Sequence, residues 1–281
     1  MTFLYCNKCL WVAASAFLLC MISRAAGVEI LADLWYNIYK YLRGGMPMIY
    51  VTSDLHGYPL EDFLALLDGA GFSDRDFLFV LGDVIDRGDE GAELLRWIAE
   101  QPNVQLILGN HEAMLLACDF VFDDITDDNL SRLSSDKLST LSTWLYNGAQ
   151  PTLSGLRRIR DRDPDVLEGI LDCLRDAPLY ETAEAGGKKF VLVHAGFENF
   201  DKNRNLDDYA ADELIWTRPD RDTRYFDGAT VILGHTPTHY YGEEHRGKIL
   251  HADGWIDIDT GAAGGGAPAL LRLDDMQEFY R

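Results

Sequence analysis

Five short clusters of glycine, histidine and acidic residues constrain this chain more than anything else in it. They read Asp54-Leu55-His56-Gly57, Gly82-Asp83-Val84-Ile85-Asp86-Arg87-Gly88, Gly109-Asn110-His111-Glu112, Val193-His194-Ala195-Gly196 and Gly234-His235-Thr236-Pro237. Each follows a short run dense in Val, Ile, Leu or Phe: Met48–Ser53, Phe77–Leu81, Val104–Leu108, Phe190–Val193 and Thr230–Leu233. Two later runs of the same kind are Trp255–Ile258 and Ala269–Leu273. Runs this short, apolar without clean alternation, are expected as strands covered on both faces. Helical patterns at Leu60–Ala70 and Gly91–Glu100 separate the early ones. That order predicts an α/β fold, with the polar clusters at the C-terminal strand ends, where such sheets usually bind ligands.

Residues 113–186 break the rhythm. Ala113–Cys118, Asp128–Leu145 and Pro164–Arg175 read as helices, and Ser134–Lys137 and Asn147–Pro151 as caps or turns, with no strand expected among them. The stretch is expected to be a helical insertion in a domain spanning 48–281, packed beside the site and shaping substrate access. Structural filler is the competing reading.

Residues 1–47 form a separate segment. Cys9–Ile22 is almost wholly apolar between Lys8 and Arg24. It is shorter than the roughly 20 residues of a membrane-spanning helix but suits a signal-peptide core. The preferred reading is a domain starting at Met46 or Met48, with Arg43-Gly44-Gly45 translated from purine-rich DNA upstream. On that reading the protein is expected to be cytoplasmic; if residues 1–26 are a true signal, it is exported or anchored. Cys6-x-x-Cys9 lacks a second Cys/His pair at metal-site spacing, and the five cysteines form no disulfide framework, so a reducing compartment is expected.

Charge sets the next constraint. With 25 Lys+Arg against 46 Asp+Glu the net charge is −21, which repels a polyanion and argues against nucleic-acid binding. An anionic substrate then needs positive charge from bound cations. The clusters supply suitable donors: carboxylates, imidazoles and one amide favour borderline-to-hard divalent ions such as Mn, Fe or Zn. Asp54 and His56 can reach one ion, Asp83 can bridge two, and Asn110, His194 and His235 can complete the second. Two ions about 3.5–4 Å apart would polarise a phosphoryl group and hold a hydroxide for in-line attack. His239, His245 and His251 lie outside the constellation and are expected to be structural.

At these clusters, over about 48–261, the chain resembles the metallophosphoesterase superfamily and, within it, the phosphoprotein phosphatase family with its bacterial members. The resemblance implies a central β-sandwich flanked by helices. It implies Asp54, His56 and Asp83 as ligands of a first metal, and Asp83, Asn110, His194 and His235 as ligands of a second, with Mn preferred and Fe or Zn as alternatives. His111 matches a general acid and Asp86 the carboxylate that orients it. Arg87 matches a phosphate-binding arginine, Arg218 looks like a second, and Asn110 also faces the phosphate. A simple Asp86–Arg87 salt bridge is the bland alternative. The implied reaction is hydrolysis of phosphomonoesters, foremost phosphoserine or phosphothreonine in proteins, with no membrane partner. One departure points elsewhere: Leu108 stands where protein phosphatases usually carry an arginine. Leu108-Gly109-Asn110-His111 instead resembles symmetrical diadenosine tetraphosphate hydrolases, which often lack an acid at the position of Asp86. A small phosphorylated substrate is therefore the alternative, and a non-catalytic metal-binding scaffold, which should have lost its proton donor, the less favoured third.

Overall fold

The computed structural model describes residues 47–123, 126–127 and 133–281. The chain divides between Pro47 and Met48, and the second unit, from Met48 on, is described below. The expectations for the N-terminal segment, including Cys6 and Cys9, and for a helix over 128–132 lie outside the described residues.

Two five-stranded mixed sheets face each other. In the first the order is β10-β9-β1-β2-β3, built from β1 (Ile49–Thr52), β2 (Phe77–Val80), β3 (Val104–Leu106), β9 (Leu270–Arg272) and β10 (Gln277–Phe279). The β1-β2-β3 core is parallel, and β9 and β10 join antiparallel at one edge. The second, ordered β4-β5-β6-β8-β7, comprises β4 (Tyr180–Ala185), β5 (Lys188–Val193), β6 (Thr230–Leu233), β7 (Leu250–His251) and β8 (Trp255–Asp257). Its centre, β5-β6-β8, is parallel.

Strand residues alternate between faces, and both faces are apolar because both are covered. Val51, Phe79 and Leu81 of the first sheet meet Phe190, Leu192, Ile232 and Ile256 of the second in the layer between them. Their neighbours Tyr50, Leu78 and Val80 point the other way into a helical core. On the second sheet, Val191, Val193, Val231, Leu233 and Trp255 pack outward against Phe197, Tyr209 and Leu214. Helices therefore flank a sandwich, and the mixed α/β class holds.

The first helical layer holds α1 (Leu60–Gly69) and α2 (Gly91–Glu100), then α3 (Asn110–Ala117), α4 (Ser135–Tyr146), α5 (Gln150–Arg162) and α6 (Pro164–Arg175); α7 (Ala211–Ile215) belongs to the second sheet's side. The segment read as a cap or turn is one: Asn147–Ala149 turn the chain, and Pro151 stands in the first turn of α5, a helix the sequence reading did not assign, where a missing N–H costs nothing. One local expectation needs correction. Strand β4 falls inside the stretch expected to be helical. It is an edge strand of sequence Tyr-Glu-Thr-Ala-Glu-Ala, folded onto β5 in full antiparallel register through Gly186-Gly187, and its polar composition suits an edge rather than a core. The helical part of the insertion therefore ends at Arg175.

Candidate active site

Five strand ends converge above the sandwich. From β1 come Asp54 and His56; from β2, Asp83, Asp86 and Arg87; from β3, Asn110 and His111, which form the first turn of α3. The second sheet contributes His194 after β5 and His235 after β6. Of the non-glycine residues with positive φ among the described residues, six lie here: Asp54 (53°), His56 (44°), Asp83 (53°), Asp86 (71°), Arg87 (70°) and His235 (68°). Left-handed backbone costs L-residues about 1–3 kcal/mol each and persists where surroundings enforce it, typically at working sites.

Asp83 sits at the centre. Its Oδ2 lies 3.5 Å from His56 Nε2 and 3.8 Å from His111 Nε2, and its Oδ1 lies 3.4 Å from His194 Nε2. Two donor sets result, His56–Asp83–His111 and Asp83–His194–His235, sharing Asp83 and wholly buried. Asp54 adjoins the first, 3.9 Å from His56 Nε2; its Oδ2 accepts from the His235 N–H at 2.8 Å and is in contact with the Ser53 hydroxyl. Asn110 adjoins the second, with its Oδ1 3.0 Å from His194 Nε2.

These residues suit divalent cations. His56 Nδ1 and His194 Nδ1 donate to the carbonyls of Ile85 (2.9 Å) and Leu81 (2.6 Å), which leaves each Nε2 as a lone-pair donor on the Asp83 side. His235 Nε2 is buried with no hydrogen-bond partner, a placement that a cation would satisfy. Burial pushes the imidazoles of His56 and His235 down to about 3, so both offer neutral nitrogen. Burial would raise Asp83, but the surrounding imidazoles outweigh it and hold this carboxyl low. Asp54 is raised, first by burial and then by the charge of Asp83.

His111 differs from its neighbours. Its Nδ1 donates to Asp86 Oδ2 at 2.5 Å, and although burial opposes protonation, Asp83 and Asp86 together raise its pKa. Asp86 is fully buried and spends its oxygens on His111, on Trp144 Nε1 (2.8 Å) and on the Thr152 hydroxyl (2.7 Å). It is not the salt-bridge partner of Arg87, whose exposed guanidinium instead approaches His56 Nε2 (2.9 Å) and His111 Nε2 (3.2 Å). Arg218, also exposed, donates to Thr236 Oγ1 at 3.0 Å beside His235. Outside the centre, His251 pairs with Glu278 and His245 with Arg221.

Sequence reasoning assigned no role to several buried groups here. Glu112 accepts from the N–H groups of Asp83 (2.7 Å), Val84 (2.9 Å) and Gly109 (3.2 Å), tying the second loop to the third, and burial together with Asp83 pushes it up to about 7. Gly109 has no room for a side chain: a Cβ there would lie 2.5 Å from Asp83 N. Asp257 and Asp259, after β8, are buried, and burial raises both well above the carboxylate range, reinforced by neighbouring carboxylates. The segment Asp257-Ile258-Asp259-Thr260-Gly261 ends an apolar run as the five clusters do, and that position was its signal. Trp216 presents a half-exposed ring 6.1 Å from the His235 ring.

Comparison with known proteins bears on the same residues. Serine/threonine-protein phosphatase 2 of Salmonella typhimurium is 29% identical over 86% of this chain and 97% of its own length. A symmetrical bis(5'-nucleosyl)-tetraphosphatase of Chromobacterium violaceum is 37% identical over 82% of this chain and 94% of its own. Further tetraphosphatases match 34% to 53% of this chain and 36% to 44% of their own length, so most of that resemblance is carried by part of the molecule. In fold the chain is similar to the cold-active protein-tyrosine phosphatase of a Shewanella species, with a TM-score of 0.51, 18% identity and coverage of 83% and 77% of the two chains. The sequence pattern of the calcineurin-like phosphoesterases matches residues 47–258, and with the paired His/Asp donor sets this establishes that the chain belongs to that family and is a metal-dependent phosphatase.

Proposed function

We propose that the enzyme hydrolyses phosphomonoesters of serine and threonine in proteins. The observation that carries this reading is the buried His111–Asp86 pair. An alkoxide is a poor leaving group and needs a proton as the P–O bond breaks; a nucleotide leaving from a polyphosphate is already a stabilised anion and needs one far less. A positioned general acid contributes typically 10²–10⁴-fold, and a fully buried carboxylate with three side-chain donors is a large investment for a substrate that does not require it.

Asp54, His56 and Asp83 would hold one divalent ion, and Asp83, Asn110, His194 and His235 a second, with Mn favoured over Fe or Zn. Such a pair supplies Lewis acidity at the phosphoryl oxygens and a hydroxide nucleophile at neutral pH. Arg87, beside His56 and His111, and Arg218, beside His235, grip the remaining phosphoryl oxygens; the planar guanidinium suits two at once. As oxygen attacks phosphorus from one side, the ester P–O bond breaks on the other. His111 passes its Nε2 proton to the departing oxygen, and Asp86, accepting from Nδ1, supports the charge His111 carries before transfer.

The test is a Mn-supplemented panel of phosphoserine and phosphothreonine peptides, p-nitrophenyl phosphate and diadenosine tetraphosphate. Peptide kcat/KM at least tenfold above that for the tetraphosphate is expected; the reverse order removes the protein substrate. The tetraphosphate is the second reading, favoured by Leu108, which leaves the position before Gly109 without a phosphate-binding arginine, and by the similarity to the Chromobacterium enzyme.

A further inference from the structure

Helices α4 and α5, with the turn Asn147–Ala149 between them, meet the second loop at four points. The Trp144 indole N–H donates to Asp86 Oδ2 (2.8 Å), and the Thr152 hydroxyl donates to Asp86 Oδ1 (2.7 Å). Thr152 Oγ1 also accepts from the backbone N–H of Asp86 (2.9 Å), and the Gly148 carbonyl accepts from that of Arg87 (2.9 Å). Both N–H groups belong to residues with left-handed backbone. The turn is moulded to the loop: Gly148 has φ +98°, and a Cβ there would lie 3.0 Å from Arg87 Cγ and 3.2 Å from Arg87 N. Trp144 is fully buried and Thr152 nearly so, so none of these bonds competes with solvent.

We infer that the α4–α5 hairpin positions the proton donor, with Trp144 and Thr152 as positioning residues that fix the Asp86 carboxylate and, through it, the His111 ring. The geometry divides the work. Thr152 bonds both the carboxylate and the backbone of Asp86, which fixes the residue in its uncommon conformation. Trp144 shares Oδ2 with His111, so the indole sets the direction from which that oxygen meets Nδ1. A hairpin serving only as filler, or only shaping the cleft, has no need of two polar side chains aimed at one buried carboxylate. The inference rests on the general-acid reading of His111 given above.

The test uses the full chain loaded with Mn and compares two aryl phosphates that differ in leaving group, phenyl phosphate and p-nitrophenyl phosphate, so it does not depend on the native substrate. His111→Ala should impair the poorer leaving group, phenyl phosphate, far more than the better one. Thr152→Val, which deletes the hydroxyl at nearly constant shape, should reproduce part of that selective loss, lowering the phenyl to p-nitrophenyl ratio of kcat/KM by about 10-fold, within the ~10–100-fold typical of residues that orient a functional group. Thr152→Ser should restore the ratio, and Thr152→Val added to Asp86→Asn should change it no further. Should Thr152→Val fail to fold, Trp144→Phe makes the same comparison. Equal slowing of both aryl phosphates, or a Ser variant no better than Val, overturns the inference. If His111→Ala discriminates and the Thr152 variants do not, only the hairpin's role falls; if His111→Ala does not discriminate, the general-acid reading falls with it.

Discussion

Asp83 is the residue on which the two donor sets depend. Its backbone is left-handed at φ 53°, its N–H is held by Glu112 at 2.7 Å, and its Oδ1 accepts from the His111 N–H at 3.1 Å. The side chain is thus fixed at both ends before any ligand arrives, and each oxygen faces a different histidine set. A bridging carboxylate needs two anionic oxygens, and an amide offers one neutral one. Asp83→Asn is therefore expected to lose metal and activity together, with metal affinity down at least ~100-fold, beyond the usual effect of a residue that only orients a ligand. Elemental analysis after dialysis checks this; two equivalents of metal retained by the variant would show that Asp83 does not bridge. The other conspicuous carboxylate of the loop does different work. Asp86 lies three residues on, yet its oxygens face His111, Trp144 and Thr152, which the spacing of two acids in one loop does not reveal.

Among the elements, the close approach of α5 to α2 sets where Thr152 stands. Gly155 lies one turn beyond Thr152 on α5, and a Cβ there would lie 2.6 Å from the Ala92 Cβ of α2. The two helices pack through a small-residue contact and must separate if either side grows. Gly155→Leu is expected to cost about 1–3 kcal/mol through overpacking, seen as a lowered denaturation midpoint, and to slow phosphoester hydrolysis by withdrawing Thr152 from Asp86. A folded Gly155→Leu enzyme with unchanged midpoint and turnover would show that the contact yields freely. The parallel strands were legible because Val51, Phe79, Leu192 and Ile232 alternate with equally apolar neighbours facing a helical layer, and the site was legible because its clusters end those strands. Strand β4 was not: an edge strand is defined by its pairing with β5, and its Glu and Ala content has no strand signature of its own. Helix α5 was hidden by a proline that reads as a breaker in mid-helix but as a start in the first turn. The grip of the hairpin on Asp86 spans 58 and 66 residues of sequence, beyond the reach of any local pattern.

For the molecule as a whole, the question is how a chain of net charge −21 folds with so many carboxylates inside it. Asp54, Asp83, Asp257 and Asp259 are all buried near one another, and burial raises three of them, an indication of what packing these acids together costs. Hydrogen bonds offset part: Asp54 accepts from His235 N–H, Asp257 from Asp259 N–H and Asp259 from Gly261 N–H. Asp257 Oδ2 remains without a partner. Divalent cations between the donor sets would neutralise the cluster in the folded chain, whereas the unfolded chain holds no such arrangement, so metal binding should stabilise by mass action. At a free concentration 100-fold above Kd the gain is about 2.7 kcal/mol, which for a domain of this size moves Tm by roughly 5–10 °C. Chelation of the purified enzyme should lower Tm by that amount, and readdition of Mn should restore Tm and activity in parallel, while Asp83→Asn should melt at one temperature with or without Mn. Indistinguishable melting curves for chelated and Mn-loaded wild type would mean that the buried acids are balanced within the protein itself and that the histidine nitrogens around Asp83 serve packing, not metal.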